Sequence, residues 1–372
     1  MMKLFIIPSI AWVIGAVKRN SRLAAVALFV VLWALMGLNT YNDDWVGNEY
    51  LYSVNHQVAG AGQTIGYLLL TNAARLAGLN FSAFRIVASA VALLLLTLFV
   101  CRYTRSVALV LALYLVLPFL YDVVQFRFFI ASSIAIYGLH FLIEKRGKVR
   151  ALYLVFVAVA SLIHPACIIY TLFLIGCLSE RNAIWAGIVL ALLVLLGIYG
   201  EGILLIADVF VDSVKYEAYF AARAHFGFLP YWVSILTSVI MVAGTRPNRF
   251  TKTSHSPGIC PDKLSPIERR SLMFDEFIRK AIFAFLPFGA LMPLSVQNFY
   301  RILRSSLILV YIFYANSSSE LVLGQIAKQD KKILSFFFWV WHPVTTYIVL
   351  HGVWDIVVLD ELSNNLIWTW FR

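Results

Sequence analysis

Charged side chains are scarce in this chain of 372 residues. Asp, Glu, Lys and Arg make up 13% of it, about half of the roughly 25% found in soluble globular domains. Hydrophobic residues reach 61%, more apolar surface than a soluble fold can hide. Because the apolar runs recur along the whole length, the composition predicts a single integral membrane domain over residues 1–372.

The sequence also lacks the motifs of several cofactor-dependent enzymes. It contains no GxxxxGK[ST] loop, no GxGxxG turn and no HExxH motif, which argues against Walker-type ATP use, dinucleotide binding and a zincin site. Its four cysteines form no CxxC pair and show no metal-ligand spacing. We therefore expect no cofactor and no metal.

The net charge of +11 is of the size seen in nucleic-acid-binding proteins, but the positions of the basic residues indicate topology instead. When the apolar segments are taken as alternating spans, 21 of the 30 Lys and Arg fall on one side of the membrane. The positive-inside rule makes that side cytoplasmic. We expect membrane lipids, and no nucleic acid, as the partners of this charge.

The apolar segments predict an all-α transmembrane bundle of about 10–12 spans. The candidate spans are 4–17, 22–39, 84–101, 106–121, 125–143, 150–165, 166–178, 183–200, 229–244, 281–297, 301–315 and 333–351. We keep the first as a span and not a signal peptide, because KRNSR follows it in place of a small-residue cleavage site.

Three connecting segments are too long to be simple turns. Residues 40–83 and 201–228 lie on the predicted outer side and are aromatic and amphipathic, which suits a binding lid. Within the first, residues 64–79 are apolar but carry an Arg and an Asn, so we place them along the outer interface or as a re-entrant helix. Residues 245–280 are rich in Pro, Ser, Thr, Gly and basic residues, which predicts an irregular cytoplasmic loop.

Two groups of arginines stand near the outer ends of predicted spans, where an ionised side chain is costly. Arg127 falls in the first turn of a predicted helix with Gln125 two residues before it, and Arg301 and Arg304 share one helix face. Guanidinium groups near a helix N-terminus suit phosphate. The alternatives are an Arg127–Asp122 pair, or arginines that extend to lipid headgroups.

A histidine and two carboxylates are the candidates for proton transfer. His164 stands at the outer end of a span, where it is a general base or else a packing residue. Asp43 and Asp44 precede Trp45 and Tyr50. Acidic and aromatic residues together are typical of sugar sites, but also of an aromatic belt beside a solvated loop.

In the order and spacing of these motifs, the chain resembles the EpsG-like, Wzy-type polysaccharide polymerases that make bacterial O-antigen, capsule and exopolysaccharide. The resemblance covers most of residues 20–315 and rests on Asp43, Asp44, Tyr50, Gly66-Tyr67, Asp122, Gln125-Phe-Arg127, His164 and Tyr300-Arg301. One departure concerns the first outer loop, where many members carry an Arg and a Gly-Asp pair. This chain has Asn39 to Asp44 there.

The resemblance implies polymerisation of undecaprenyl-diphosphate-linked repeat units on the outer face of the cytoplasmic membrane, without a metal. It allows a GT-C-like helical arrangement. In this interpretation Arg127, Arg301, Arg304 and Gln125 hold the diphosphate. His164 takes the acceptor proton with Asp44 or Asp43 in reserve, and Trp45, Tyr50 and Tyr300 face the glycan.

Other functions stay open at this point. One is a membrane glycosyltransferase that adds a single sugar from a polyprenyl-phosphate donor, which Asp43 and Asp44 would suit. Another is a transporter or flippase of lipid-linked glycan, although the sequence shows no inverted repeat. The sugars, the linkage and a chain-length regulator protein as a partner are also left open.

Overall fold

The structure is a computed structural model of the chain. It describes residues 2–53, 64–144, 147–199, 229–245, 265–292, 296–318, 328–351, 358 and 360–367. The predicted outer segment 201–228 lies outside the described residues, as does the 246–264 part of the predicted cytoplasmic loop.

The described residues form helices and no strand, which confirms an all-α membrane protein. Extended pairing is limited to one isolated antiparallel bridge between Asn39 and Asn365. The chain divides into two compact units. The first consists of Met1–Thr171, Ser265–Ser271 and Leu350–Arg372, and the second of Leu172–Leu264 and Leu272–Val349.

The helices that begin before residue 179 are, in chain order, α1 (Met2–Val17), α2 (Arg22–Gly37), α3 (Trp45–Ser53), α4 (Ile65–Leu76), α5 (Phe81–Tyr103), α6 (Val107–Val116), α7 (Phe119–Val124), α8 (Phe126–Glu144), a 3₁₀ helix (Gly147–Ala151), α9 (Leu152–Ile163) and a second 3₁₀ helix (Pro165–Cys177). The later ones are α10 (Glu180–Tyr199), α11 (Leu229–Gly244), α12 (Pro266–Ala281), a 3₁₀ turn (Ile282–Ala284), α13 (Phe285–Ala290), α14 (Val296–Ser305), α15 (Leu307–Ser317), α16 (Lys328–Phe336), a π-helix (Phe337–Trp341), α17 (His342–His351) and α18 (Asp360–Ser363).

Among the described residues, three helices are long and apolar enough to cross a membrane: Phe81–Tyr103, Phe126–Glu144 and Glu180–Gly197. Five shorter apolar helices accompany them: Phe5–Val17, Arg22–Gly37, Val107–Val116, Pro165–Cys177 and Tyr231–Gly244. All eight coincide with predicted spans. The Pro165–Cys177 segment is a 3₁₀ helix, which at about 2.0 Å per residue is about 26 Å long and so reaches further than an α-helix of equal residue count.

Capping side chains set the starts of two apolar helices. The side chain of Ser21 accepts a hydrogen bond from the Ala24 amide at 3.3 Å at the start of α2. Asn80 accepts one from the Ala83 amide at 2.8 Å at the start of α5. These caps satisfy amides that have no partner within the helix.

The prediction of an irregular loop over 245–280 is wrong for residues 266–280, because Pro266–Ala281 forms helix α12. Ser265 and Glu268 make a capping box: the Ser265 amide donates to the Glu268 carboxylate at 3.0 Å, and the Glu268 amide donates to the Ser265 hydroxyl at 3.4 Å. Pro266 occupies the first helical position, where its missing N–H costs nothing.

The predicted span 301–315 is likewise divided, since α14 ends at Ser305 and α15 begins at Leu307. The Ser306 amide donates to Leu303 at 2.9 Å, three residues back, and its hydroxyl donates to the Ile302 carbonyl at 3.1 Å. A serine hydroxyl that competes for helix carbonyls bends or ends a helix. The two predicted arginines therefore belong to α14 and not to the apolar α15.

Close packing of α4 on α9 depends on a glycine in the first unit. A Cβ placed on Gly66 would lie 2.6 Å from the carbonyl carbon of Leu162. The hydroxyl of Thr64 donates to the Ile163 carbonyl at 2.5 Å at the same place. The backbones of α4 and α9 are therefore in direct contact at this point. Small residues allow such close approach between helices in membranes.

We expect Gly66→Ala to lower the stability of the purified protein by about 1–3 kcal/mol, because an added methyl must push the α9 backbone away. Thermal unfolding in detergent measures the effect. Gly47→Ala is the matched control, because a Cβ at Gly47 meets nothing within 4 Å. Equal melting temperatures for the two variants would contradict the close approach.

Candidate functional site

Two long helices of the first unit, α5 and α8, run parallel and have chemically different ends. Arg85 near the start of α5 contacts Phe126 at the start of α8. Arg102 near the end of α5 forms an ion pair with Glu144, the last residue of α8, with Nη2 to Oε2 at 2.6 Å. One end therefore holds a carboxylate–guanidinium pair, whereas the other holds arginine among aromatic rings.

Arg85 is the buried charge of this aromatic end. Its guanidinium carbon lies 4.8 Å from the ring centroid of Trp45 and 4.8 Å from that of Phe126, and the side chain is 0% exposed. Its Nη2 also donates to the Met36 carbonyl at 3.3 Å. Cation–π contacts strengthen when desolvated, so the two rings help to compensate the charge for its loss of water.

Arg127 forms a second cation–π contact at the same end. It lies in the first turn of α8, as predicted, with its guanidinium carbon 5.5 Å from the ring centroid of Tyr67 on α4. Arg127 is half-buried, whereas Tyr67 is fully buried. Burial raises the pKa of Tyr67 to about 12 against the opposing charges of Arg127 and Arg85, so the phenol is neutral at physiological pH.

Aromatic side chains fill the space around these groups. Phe84 on α5 lies 6.2 Å from Tyr67 and 6.0 Å from Phe126, measured between ring centroids. Tyr52 on α3 lies 5.4 Å from Phe84 and donates its hydroxyl to the Leu79 carbonyl at 2.5 Å. Such edge-to-face and tilted pairs hold α3, α4, α5 and α8 in a fixed arrangement.

His164 lies beside this cluster. It caps the C-terminus of α9, its amide donates to Ala160 at 2.8 Å, and its half-buried ring lies 5.1 Å from the ring of Phe128 on α8. Phe128 directly follows Arg127. Because the first turn of α4 touches both Arg127, through Tyr67, and the end of α9, through Thr64, these residues are neighbours in the fold.

The remaining predicted residues of the first unit differ in burial. Asp43, Asp44 and Tyr50 are exposed around the start of α3. Trp45 is buried, stacks on Arg85 and donates its Nε1–H to Glu49 at 3.0 Å. Trp45 is thus part of the packing around Arg85, whereas the side chain of Tyr50 is exposed.

Gln125 and Asp122 precede α8 on the chain. Gln125 is half-buried and its carbonyl accepts the first backbone hydrogen bond of α8, from Phe129 at 2.9 Å. Asp122 is 1% exposed and accepts a hydrogen bond from the hydroxyl of Tyr114 at 2.7 Å. A buried carboxylate thus has a hydroxyl donor on α6.

In the second unit, the predicted residues belong to the short helix α14. Arg304 is 1% exposed and Tyr300 is 2% exposed, whereas Arg301 is half-buried. The ring of Tyr300 lies 4.7 Å from that of Tyr231 on α11. The second unit therefore has its own buried arginine among tyrosines.

No group of three or more His, Cys, Asp or Glu side chains gathers within the described parts of the chain. The side chains that do come together are arginines, tyrosines and a histidine. This donor set suits an anion such as a phosphate or diphosphate, because guanidinium forks and phenols donate hydrogen bonds and carry or tolerate positive charge.

Arg85 is the residue that sequence reasoning missed. It lies in the run FRIVASAVALLLL, and an arginine inside such an apolar run is by itself a signal of a functional or structural role. The burial of its whole side chain, and its contacts with α2, α3 and α8, become visible only in the folded chain.

The model of the family described as the EpsG family matches residues 22–353. Neither the curated proteins nor the solved structures contain a match to the chain.

The contact between Trp45 and Arg85 can be measured by a double-mutant cycle on thermal stability. We expect a coupling free energy of about 1–2 kcal/mol between Trp45→Leu and Arg85→Met, because the indole face stabilises a desolvated guanidinium. Tyr50→Leu on the same helix is the control partner, since Tyr50 is 53% exposed. Strict additivity for Trp45 and Arg85 would refute the contact.

Proposed function

This chain belongs to the EpsG family, and on that premise we propose that it polymerises undecaprenyl-diphosphate-linked oligosaccharide repeat units into a surface polysaccharide. The site faces outward from the bacterial cytoplasmic membrane, which the excess of basic residues on the opposite side supports. Membership of this family supports a polysaccharide-polymerase-like role, and the apolar helices support a membrane protein.

One observation carries the proposal. Arg127, at the N-terminus of α8, lies over Tyr67 and next to the end of α9 that bears His164. A cation at a helix N-terminus suits a phosphate, and a histidine close to it suits the hydroxyl that attacks. Arg127 is half-buried, so part of its side chain is accessible.

The reaction needs two kinds of assistance. The bond between the anomeric carbon of the growing chain and its diphosphate breaks, and undecaprenyl diphosphate leaves with the bonding electron pair. A hydroxyl at the nonreducing end of a new lipid-linked unit forms the new bond to that carbon and loses its proton to His164. Arg127, with Gln125 beside it, stabilises the charge that develops on the leaving diphosphate.

Arg301 and Arg304 of α14 are proposed as further diphosphate contacts, and Tyr50 and Tyr300 as contacts to the glycan. Asp44 and Asp43 are the reserve bases, since exposed carboxylates near a glycan can accept a proton or bind sugar hydroxyls. The lipid tail of the substrate stays in the membrane, and a chain-length regulator is a proposed protein partner.

The decisive experiment incubates the purified protein with a defined lipid-linked repeat unit, without nucleotide or added metal, and separates the products on a gel. A ladder of chain lengths is the expected result. Movement of the substrate across vesicle membranes without any ladder would select a flippase, and addition of one sugar from a polyprenyl-phosphate donor would select a different glycosyltransferase.

We expect Arg127→Ala to lower the rate of polymerisation by about 10²–10³, the usual effect of removing one donor to a developing oxyanion. Arg127→Lys should recover little, because the ammonium cannot form a bidentate fork. The rate is measured from the ladder at equal amounts of folded protein.

Arg105→Ala is the matched control for Arg127. Arg105 follows the opposite end of α5, its side chain is 51% exposed, and its contact with Glu268 is 3.4 Å long. An exposed ion pair of this kind contributes little to stability, so the ladder should not change. Equal ladders from Arg127→Ala and Arg105→Ala would remove Arg127 from the site.

His164→Asn should slow the transfer by about 10²–10⁴ while the lipid-linked substrate still binds, because a general base acts on the chemical step. His140→Asn is the control, since His140 lies within α8 with Nδ1 2.7 Å from the Tyr137 carbonyl. Wild-type ladders from His164→Asn, together with loss of the ladder in Asp44→Asn or Asp43→Asn, would transfer the role of base to that carboxylate.

A further inference from the structure

A tyrosine hydroxyl at the aromatic end of the first unit has an unused hydrogen bond. Tyr67 is 0% exposed. Among the described residues, no group forms a hydrogen bond with its hydroxyl. A buried hydroxyl without a partner costs about 1–3 kcal/mol, so such a group in a folded protein calls for an explanation.

The surroundings of this hydroxyl point to an anion. The charges of Arg127 and Arg85 both act on the Tyr67 phenol, and Arg127 lies over its ring. Arg127 in contact with the ring, together with the more distant charge of Arg85, creates a positive potential in an apolar environment, where electrostatic interactions are stronger than in water. An oxyanion is the ligand that such a potential attracts.

The position of Arg127 bears on how a ligand would approach the phenol. Arg127 is half-buried, whereas Tyr67, whose ring it contacts, is fully buried. The backbone contact of Gly66 with Leu162 fixes the first turn of α4, so Tyr67 is held at a defined distance from α8. A phosphoryl group bound by Arg127 therefore meets a hydroxyl that is already in place.

We propose that Tyr67 is a further substrate-binding residue, whose hydroxyl donates a hydrogen bond to a phosphoryl oxygen of the lipid-linked diphosphate that Arg127 holds. The inference rests on the proposed function for the identity of the ligand. The phenol adds a neutral donor where a third positive charge would be repelled by Arg85 and Arg127. Its hydrogen bond strengthens as negative charge develops on the departing diphosphate.

The substitution Tyr67→Phe tests this role because it removes only the oxygen atom. The ring that contacts Arg127 and Phe84 is kept, and no hydrogen bond to a described residue is lost. The variant should therefore melt at the wild-type temperature or slightly above it. We expect its polymerisation rate to fall about 10–100-fold, the effect of losing a hydrogen bond to a charged group.

Tyr52→Phe is the matched control. Tyr52 packs against the same ring, Phe84, but its hydroxyl donates to the Leu79 carbonyl at 2.5 Å. Its loss should lower the melting temperature and leave the rate per folded molecule unchanged. We therefore expect Tyr67→Phe to change the rate but not the melting temperature, and Tyr52→Phe to change the melting temperature but not the rate. This difference distinguishes a ligand contact from a packing role.

Binding of undecaprenyl diphosphate alone to the protein in lipid nanodiscs gives a readout independent of polymerisation. Weaker binding by Tyr67→Phe, with no change for Tyr52→Phe, supports the inference. If the wild-type protein makes no ladder yet binds the lipid in a Tyr67-dependent manner, the proposed polymerase is wrong and the binding residue stands. Wild-type rate and wild-type affinity in Tyr67→Phe would overturn the inference.

Replacement of Tyr67 by 4-aminophenylalanine keeps the proposal testable if the Phe variant folds poorly. The amino group restores an N–H donor at nearly the same place on the ring. Recovery of lipid binding supports the role of a donor. A folded 4-aminophenylalanine protein that binds no better than Tyr67→Phe overturns it.

Discussion

The aromatic end of the first unit depends on one desolvated guanidinium. Arg85 joins four helices: it belongs to α5, donates to the last turn of α2 through Met36, and lies between Trp45 of α3 and Phe126 of α8. A charge without water in an apolar bundle is costly, so the helices that solvate it must keep their places. This requirement fixes the start of α8, and with it the position of Arg127.

Because α5 and α8 run parallel, an ion pair lies at one end of the helix pair and cation–π contacts lie at the other. At their C-terminal ends, Arg102 and Glu144 form an ion pair that is partly exposed. At their N-terminal ends, Arg85 and Arg127 lie over aromatic rings, whose faces attract a cation without carrying a net negative charge. A ring therefore leaves the positive charge of an arginine in place, whereas a carboxylate in a bidentate pair neutralises it. The site that we propose accordingly lies at the aromatic end.

Local signals predicted much of the fold. Apolar run lengths located α5, α8 and α11 closely, and the positions of Arg127 in a first helical turn and of His164 at a helix end followed from them. Two failures were local as well: Ser265-Pro-Ile-Glu is a capping box readable from sequence, and the Ser305-Ser306 pair ends α14. The predictions relied on the composition of each segment as a whole. Composition does not show the effect of one capping residue or of one serine pair, so both signals were overlooked.

The amino-acid sequence by itself determined the class of protein, its apolar helices and the candidate arginines and histidine, because hydrophobicity and charge act on a chain before it folds. Only the tertiary structure decided which of these residues are neighbours. Thr64 and Ile163 are almost a hundred positions apart, and they meet because Gly66 lets α4 touch the end of α9. Burial of Arg85 and the unused hydroxyl of Tyr67 also depend on packing between distant helices, which no single segment encodes.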